Sequence, residues 1–169
     1  MSDAHRPADT VDGNENLPSA LVDVIADFEM ADRGLRSEML IEYADRFRDV
    51  PAAIATRPFP EHARAPRCES EAYVFAADRA DGALDLHFAV ENPQGLSAKA
   101  WAVILGETLS GQSLRDVAAV PGDALYRIFG RDLSMGKGMG LLGMLELVQH
   151  EARARLDARR RREQGLDAG

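Results

Sequence analysis

The chain has 169 residues, 46% of them hydrophobic, which is enough for one domain with a sizeable core and no disulfide or metal staples. Its 28 acidic residues outnumber its 20 basic ones, and the net charge of -8 argues against nucleic acid or an anionic membrane surface as a partner. Cys68 is the single cysteine, so no internal disulfide is possible; with no signal-like start and no apolar run long enough to span a bilayer, the expected compartment is the cytoplasm.

Residues 1–16 are polar and acidic, contain Pro7 and Gly13, and show no apolar period, so they read as a flexible leader. The domain is expected over 17–156, with a basic helix end and tail over 157–169. Pro18 suits a first helical turn, and Leu21, Val24, Ile25 and Phe28 recur at helical spacing on one face. Asp32-Arg33-Gly34 breaks this helix. A second follows, striped by Met39, Leu40, Tyr43 and Phe47 and ending before Pro51. Between Val50 and Arg67 the chain carries Pro51, Pro58, Pro60 and Pro66, a long surface connection of the kind often used for function.

After Cys68, the segment Ala72 to Ala76 holds Tyr73, Val74 and Phe75. Beyond the turn signal Asp81-Gly82, Leu84, Leu86, Phe88 and Val90 alternate with Asp85, His87 and Ala89. The pattern predicts a hairpin with one wet face. Asn92-Pro93-Gln94-Gly95 ends the sheet, Ser97 is placed to cap a helix, and Trp101, Ile104, Leu105 and Leu109 form its apolar stripe. Ser113-x-x-Asp116 opens a short helix with Asp in place of the usual capping-box Glu, and another covers Ala124 to Phe129, closed by Gly130. The longest helix begins at Ser134 and runs through Leu141, Met144, Leu145, Val148, Ala152 and Leu156. It ends in Arg159-Arg160-Arg161-Arg162, read as a solvated helix end favoured by the backbone dipole and not as a binding patch.

Several apparent motifs fail on context. Gly138-x-Gly140-x-x-Gly143 has the spacing of a dinucleotide fingerprint but no buried strand before it, and Gly136-Lys137 lacks both the correctly spaced glycine and the hydroxyl of a phosphate loop. The glycines at 136, 140 and 143 are expected instead to let another element come close. His5, His62, His87 and His150 are scattered, and one cysteine gives no paired metal-ligand spacing, so no metal is expected. A cysteine hydrolase would need a histidine beside the thiol and lacks its usual local signature here.

Cys68 stands among Pro66, Arg67, Glu69, Ser70 and Glu71. Those polar neighbours predict a loop thiol exposed to solvent, where an inert core cysteine would sit among apolar residues. It is the remaining candidate for chemistry.

From Leu17 to about Leu156 the chain resembles the SufE family of sulfur-acceptor proteins. A helical hairpin and a proline-containing loop precede Cys68, Ser70 and the strand Tyr73-Val74-Phe75; Lys99 stands at the family's lysine position, and Leu133-Ser134 through Gly140-Leu141 resembles its Leu-Ser-x-x-Arg-x-x-Gly-Leu motif. The chain departs at Arg67, where the family frequently has glycine, and at Lys137, where it has arginine. The resemblance implies an α+β fold, SufE/IscU-like, with helices around a small antiparallel sheet. It also implies that Cys68 takes persulfide sulfur from a SufS-like, PLP-dependent cysteine desulfurase, stimulating it, and passes the sulfur to a SufBCD-like iron-sulfur cluster scaffold. Arg67, Ser70, Lys99 and Lys137 are the supporting residues this suggests. The chain would then be a sulfur-transfer accessory protein and not an independent enzyme, and would need no cofactor of its own. A regulatory module that binds the desulfurase without carrying sulfur, and a thiol redox sensor, are the alternatives.

Overall fold

The computed structural model describes Asn14 and residues 16–165; the expected leader and the end of the tail fall almost wholly outside these. Among the described residues the elements are α1 (Ser19–Met30), α2 (Arg33–Asp45), a single 3-10 turn (Glu61–Ala63), β1 (Ala72–Asp78), β2 (Leu84–Val90), α3 (Leu96–Leu109), α4 (Leu114–Ala118), α5 (Asp123–Phe129) and α6 (Met135–Glu163). The strands form one antiparallel pair, so the fold is α+β as expected.

Among the described residues, side-chain caps set three of the six α-helix starts. The Asp32 carboxylate accepts from the Leu35 amide (2.8 Å) at the head of α2. Ser113 Oγ accepts from the Asp116 amide (3.2 Å), and Ser134 Oγ from the Lys137 amide (3.3 Å), at the heads of α4 and α6. For α3 the expected cap at Ser97 is not used. Asn92 folds residues 92–95 into a turn, its side chain accepting from the Gln94 amide and its carbonyl from the Gly95 amide, both at 3.0 Å. That turn delivers the chain into the helix at Leu96, with Gly95 at the N-cap and no side chain capping it. Ser97 lies inside the first turn.

The register runs from Ala72 opposite Val90 to Asp78 opposite Leu84. Val74, Leu84, Leu86 and Phe88 face the helices and join the main core. The other face is drier than the alternation predicts: Phe75 is 9% exposed and Ala89 0%. The proline-rich connection folds over them, bringing Val50 and Ala63 into a second small core and setting the Phe59 ring 5.1 Å from Tyr73 and 5.2 Å from Phe75. Asp85 and His87 remain half-exposed at the uncovered end.

In the main core, Trp101 of α3 is fully buried and donates its indole N–H to the carbonyl of Leu141 in α6 at 3.0 Å. Its ring meets Phe129 of α5 edge-on at 5.9 Å. Along α6, Leu141, Met144, Leu145, Val148 and Ala152 are buried as the stripe requires. The basic run beyond them is exposed, and Arg159 donates to the carbonyl of Gly82 in the hairpin turn at 2.6 Å. It behaves as a solvated helix end. Replacing Trp101 with Phe removes one buried hydrogen bond and part of a large ring, and should cost about 2–3 kcal/mol in urea unfolding.

Candidate functional site

Cys68 sits in a loop held from three sides. The Ala65 amide donates to the Ala72 carbonyl (2.8 Å), closing the loop at its base. Within it the Glu71 amide donates to the Cys68 carbonyl (3.1 Å). The amides of Glu91 and Asn92, just past β2, donate to the carbonyls of Glu71 and Ser70, each at 3.1 Å. The loop is therefore an extension of the sheet at both edges.

The third side is α6. A Cβ placed on Gly140 would lie 3.0 Å from Cys68 Cα and 3.1 Å from the Arg67 carbonyl oxygen; one on Gly143 would lie 2.5 Å from the Pro66 carbonyl oxygen. Backbone rests on backbone here, and only glycine leaves room. The close-packing expectation thus holds at 140 and 143. It does not hold at Gly136, which has nothing within 4 Å, and Gly138 makes its own close approach to the Tyr126 hydroxyl.

The path of the loop demands left-handed backbone at Arg67 (φ 60) and Glu71 (φ 49). For a residue with a side chain that costs about 1–2 kcal/mol at each position. The frequent family glycine before the cysteine thus corresponds to a position where this chain bears the steric penalty with arginine. The Arg67 guanidinium pairs with Glu146 of α6 at 3.4 Å, and Arg64 with Glu71 at 3.9 Å, but all four side chains are well exposed. Such pairs contribute little.

The loop's course overturns the expectation of an exposed thiol. Cys68 is 7% exposed and belongs to the main hydrophobic core. Pro66, Arg67, Glu69 and Glu71 are the exposed residues, and their polarity reports their own direction. In so tight a loop the cysteine between them turns inward against Gly140.

Cys68 nevertheless borders two clefts. One, of about 320 Å³, is bounded by Ser70, the Asn92–Ser97 turn and helix start, and by Gly136, Lys137 and Leu141 of α6. The other, of about 560 Å³, lies beside Arg64, Pro66 and Arg67. Ser70 and Lys137 thus share the first cleft with the thiol, whereas Arg67 borders the second. Lys99 lines neither; its ammonium donates to the Pro93 carbonyl (3.3 Å) and props the turn that walls the first cleft. Asn92, Gln94 and Ser97 went unnoticed in the sequence as parts of this wall. Their signal was a turn running into a helix with no usable cap: the amides of Ser97 and Ala98 have no partner among the described residues, and both residues border the cleft. A helix start of this kind favours negative charge.

No histidine borders either cleft, so a hydrolase arrangement finds no base there. Among the described residues no three His, Cys, Asp or Glu side chains gather to hold a metal ion. None of the described helices is long and apolar enough to cross a membrane.

Residues 22–152 match the model of the SufE family, described as an Fe-S metabolism associated domain. The chain is also similar to the solution structure of a hypothetical protein from Thermus thermophilus, at 30% identity with a TM-score of 0.67, over 83% of this chain and 98% of that one. No curated protein matches it.

The two kinds of glycine on α6 can be separated by substitution. Gly143→Ala gains helix propensity but drives a methyl into the Pro66 carbonyl, and should destabilise by about 1–3 kcal/mol. Gly136→Ala meets nothing and should be neutral or stabilising by up to about 1 kcal/mol. Thermal melts of the two variants check this; equal shifts would remove the case for a backbone contact at 143.

Proposed function

The chain belongs to the SufE family, tied to Fe-S metabolism, and from that premise we propose that it is a sulfur acceptor and carrier working through Cys68. The observation that carries this reading is the placement of the sole cysteine on a strained loop between two clefts. A thiol serving only to fill the core needs neither feature.

The chemistry is thiol exchange on a sulfane sulfur. The Cys68 thiolate attacks the outer sulfur of a persulfide held by a cysteine desulfurase; the donor's S–S bond breaks, a new one forms on Cys68, and the donor cysteine leaves as thiolate. No net oxidation or reduction occurs. A second thiolate on a cluster scaffold then takes the outer sulfur in the same way. Burial at 7% means that Cys68 must leave its place against Gly140 to reach either partner, and the same burial shelters it between transfers. Lys137 and the free amides of Ser97 and Ala98 are suited to the negative charge of the perthiolate once it lies in the first cleft. Ser70 is a further donor there, Lys99 holds the cleft wall, and Arg67 acts on the loop itself.

The deep position of the thiol also favours, as a second reading, a module that stimulates the desulfurase without carrying sulfur. Intact mass after mixing with a SufS-like desulfurase and L-cysteine separates the two. The carrier gains the mass of one sulfur or more, and the gain is absent in Cys68→Ser. Unmodified protein, with Cys68→Ser stimulating as well as wild type, would establish the module instead. Lys137→Ala should slow loading by about tenfold without lowering the melting temperature, as expected for loss of one charge-assisted contact.

A further inference from the structure

Among the described residues, Arg67 and Glu71 are the non-glycine residues with left-handed backbone, and both belong to the loop that bears Cys68. Elsewhere the chain gives such conformations to glycine, at Gly82, Gly111, Gly130 and Gly165. The exception falls where the thiol is hidden. We infer that the shielded loop is a strained resting state, and that Arg67 is a positioning residue setting how readily Cys68 is released from it.

The opposing forces can be named. The closed loop is held by the hydrogen bonds from the Glu91 and Asn92 amides, by burial of Cys68, and by the fit of Pro66 to Cys68 over Gly140 and Gly143. Against them stand the two left-handed residues, which return to ordinary negative φ as soon as the loop lifts. Glycine at 67 would remove the strain; arginine keeps it. The Arg67 side chain also tethers the loop to Glu146 through an exposed pair at 3.4 Å. The backbone of Arg67 therefore promotes opening while its side chain weakly resists it, and salt acts only on the second effect. This inference rests on the carrier reading for its biological purpose, since a relay needs a thiol that is hidden but not locked.

The test is alkylation of Cys68 by iodoacetamide at fixed pH, followed by intact mass, with no desulfurase present. Asn tolerates the left-handed region without glycine's added freedom in the open state, so Arg67→Asn and Glu71→Asn should each slow alkylation about three- to fivefold. Arg67→Val, which cannot adopt this backbone comfortably, should accelerate it about fivefold or more. Glu146→Gln should accelerate it by up to about twofold at low salt and not at all at high salt. The wild-type rate should be nearly independent of small additions of urea, which marks local opening; a purely structural role would move the rate only through global unfolding. Arg67→Asn reacting as fast as wild type, or faster, overturns the inference, whether or not Arg67→Val folds. Since no sulfur is transferred in this assay, that result leaves the carrier reading to its own mass test, and failure of the mass test leaves the strain result standing.

Discussion

At Gly140 and Gly143 the backbone of the cysteine loop lies directly on the backbone of α6, with no side chain between them. Much else in the molecule serves to keep that contact. The helix must be fixed in height and rotation, and the Trp101 indole does this by donating to the Leu141 carbonyl, one residue beyond Gly140. The loop must be fixed laterally, and the ends of β1 and β2 do this through the amides of Ala65, Glu91 and Asn92. Phe129 against Trp101 carries the support through to α5. Under the carrier reading, a relay cysteine is thereby positioned by rigid elements while remaining on a segment short enough to lift away.

The same contact explains the two aspects of the thiol. It is shielded because the loop's polar residues point outward and Cys68 points at glycine. It is bordered by space because the Asn92–Gly95 turn and the start of α6 stand apart beside it, leaving a cleft with a lysine and free amides. Under the carrier reading, these are the closed and the receiving sides of one site.

Much of the fold was legible in the sequence. Long periodic stripes such as Leu141 to Leu156, and turn signals such as Asp81-Gly82, depend on local geometry that the sequence states directly. So do the cap at Ser113 and the start of the last helix at Ser134. The failures are of another kind. The covered face of the hairpin depends on Phe59 returning across a proline-rich connection whose path no local pattern encodes. The cap at Ser97 lost to a turn made by Asn92, upstream of the helix. Most telling is Cys68, whose neighbours are polar and exposed while it is buried: in a loop this tight, direction alternates from residue to residue and composition averages over it. The resemblance nominated Lys99 alongside Lys137, but only the structure separates a residue in the cleft from one that props its wall.

If sulfur reaches Cys68 only when the loop comes off the glycine face, one measurement joins both halves of that claim: hydrogen exchange read by mass spectrometry on the protein mixed with a persulfide-loaded desulfurase. The amides of Glu71, Glu91 and Asn92 are then expected to lose protection while those of Val74 and Leu86 keep it, and the same Cys68 peptide to gain sulfur. Transfer of sulfur with the loop amides fully protected would contradict it.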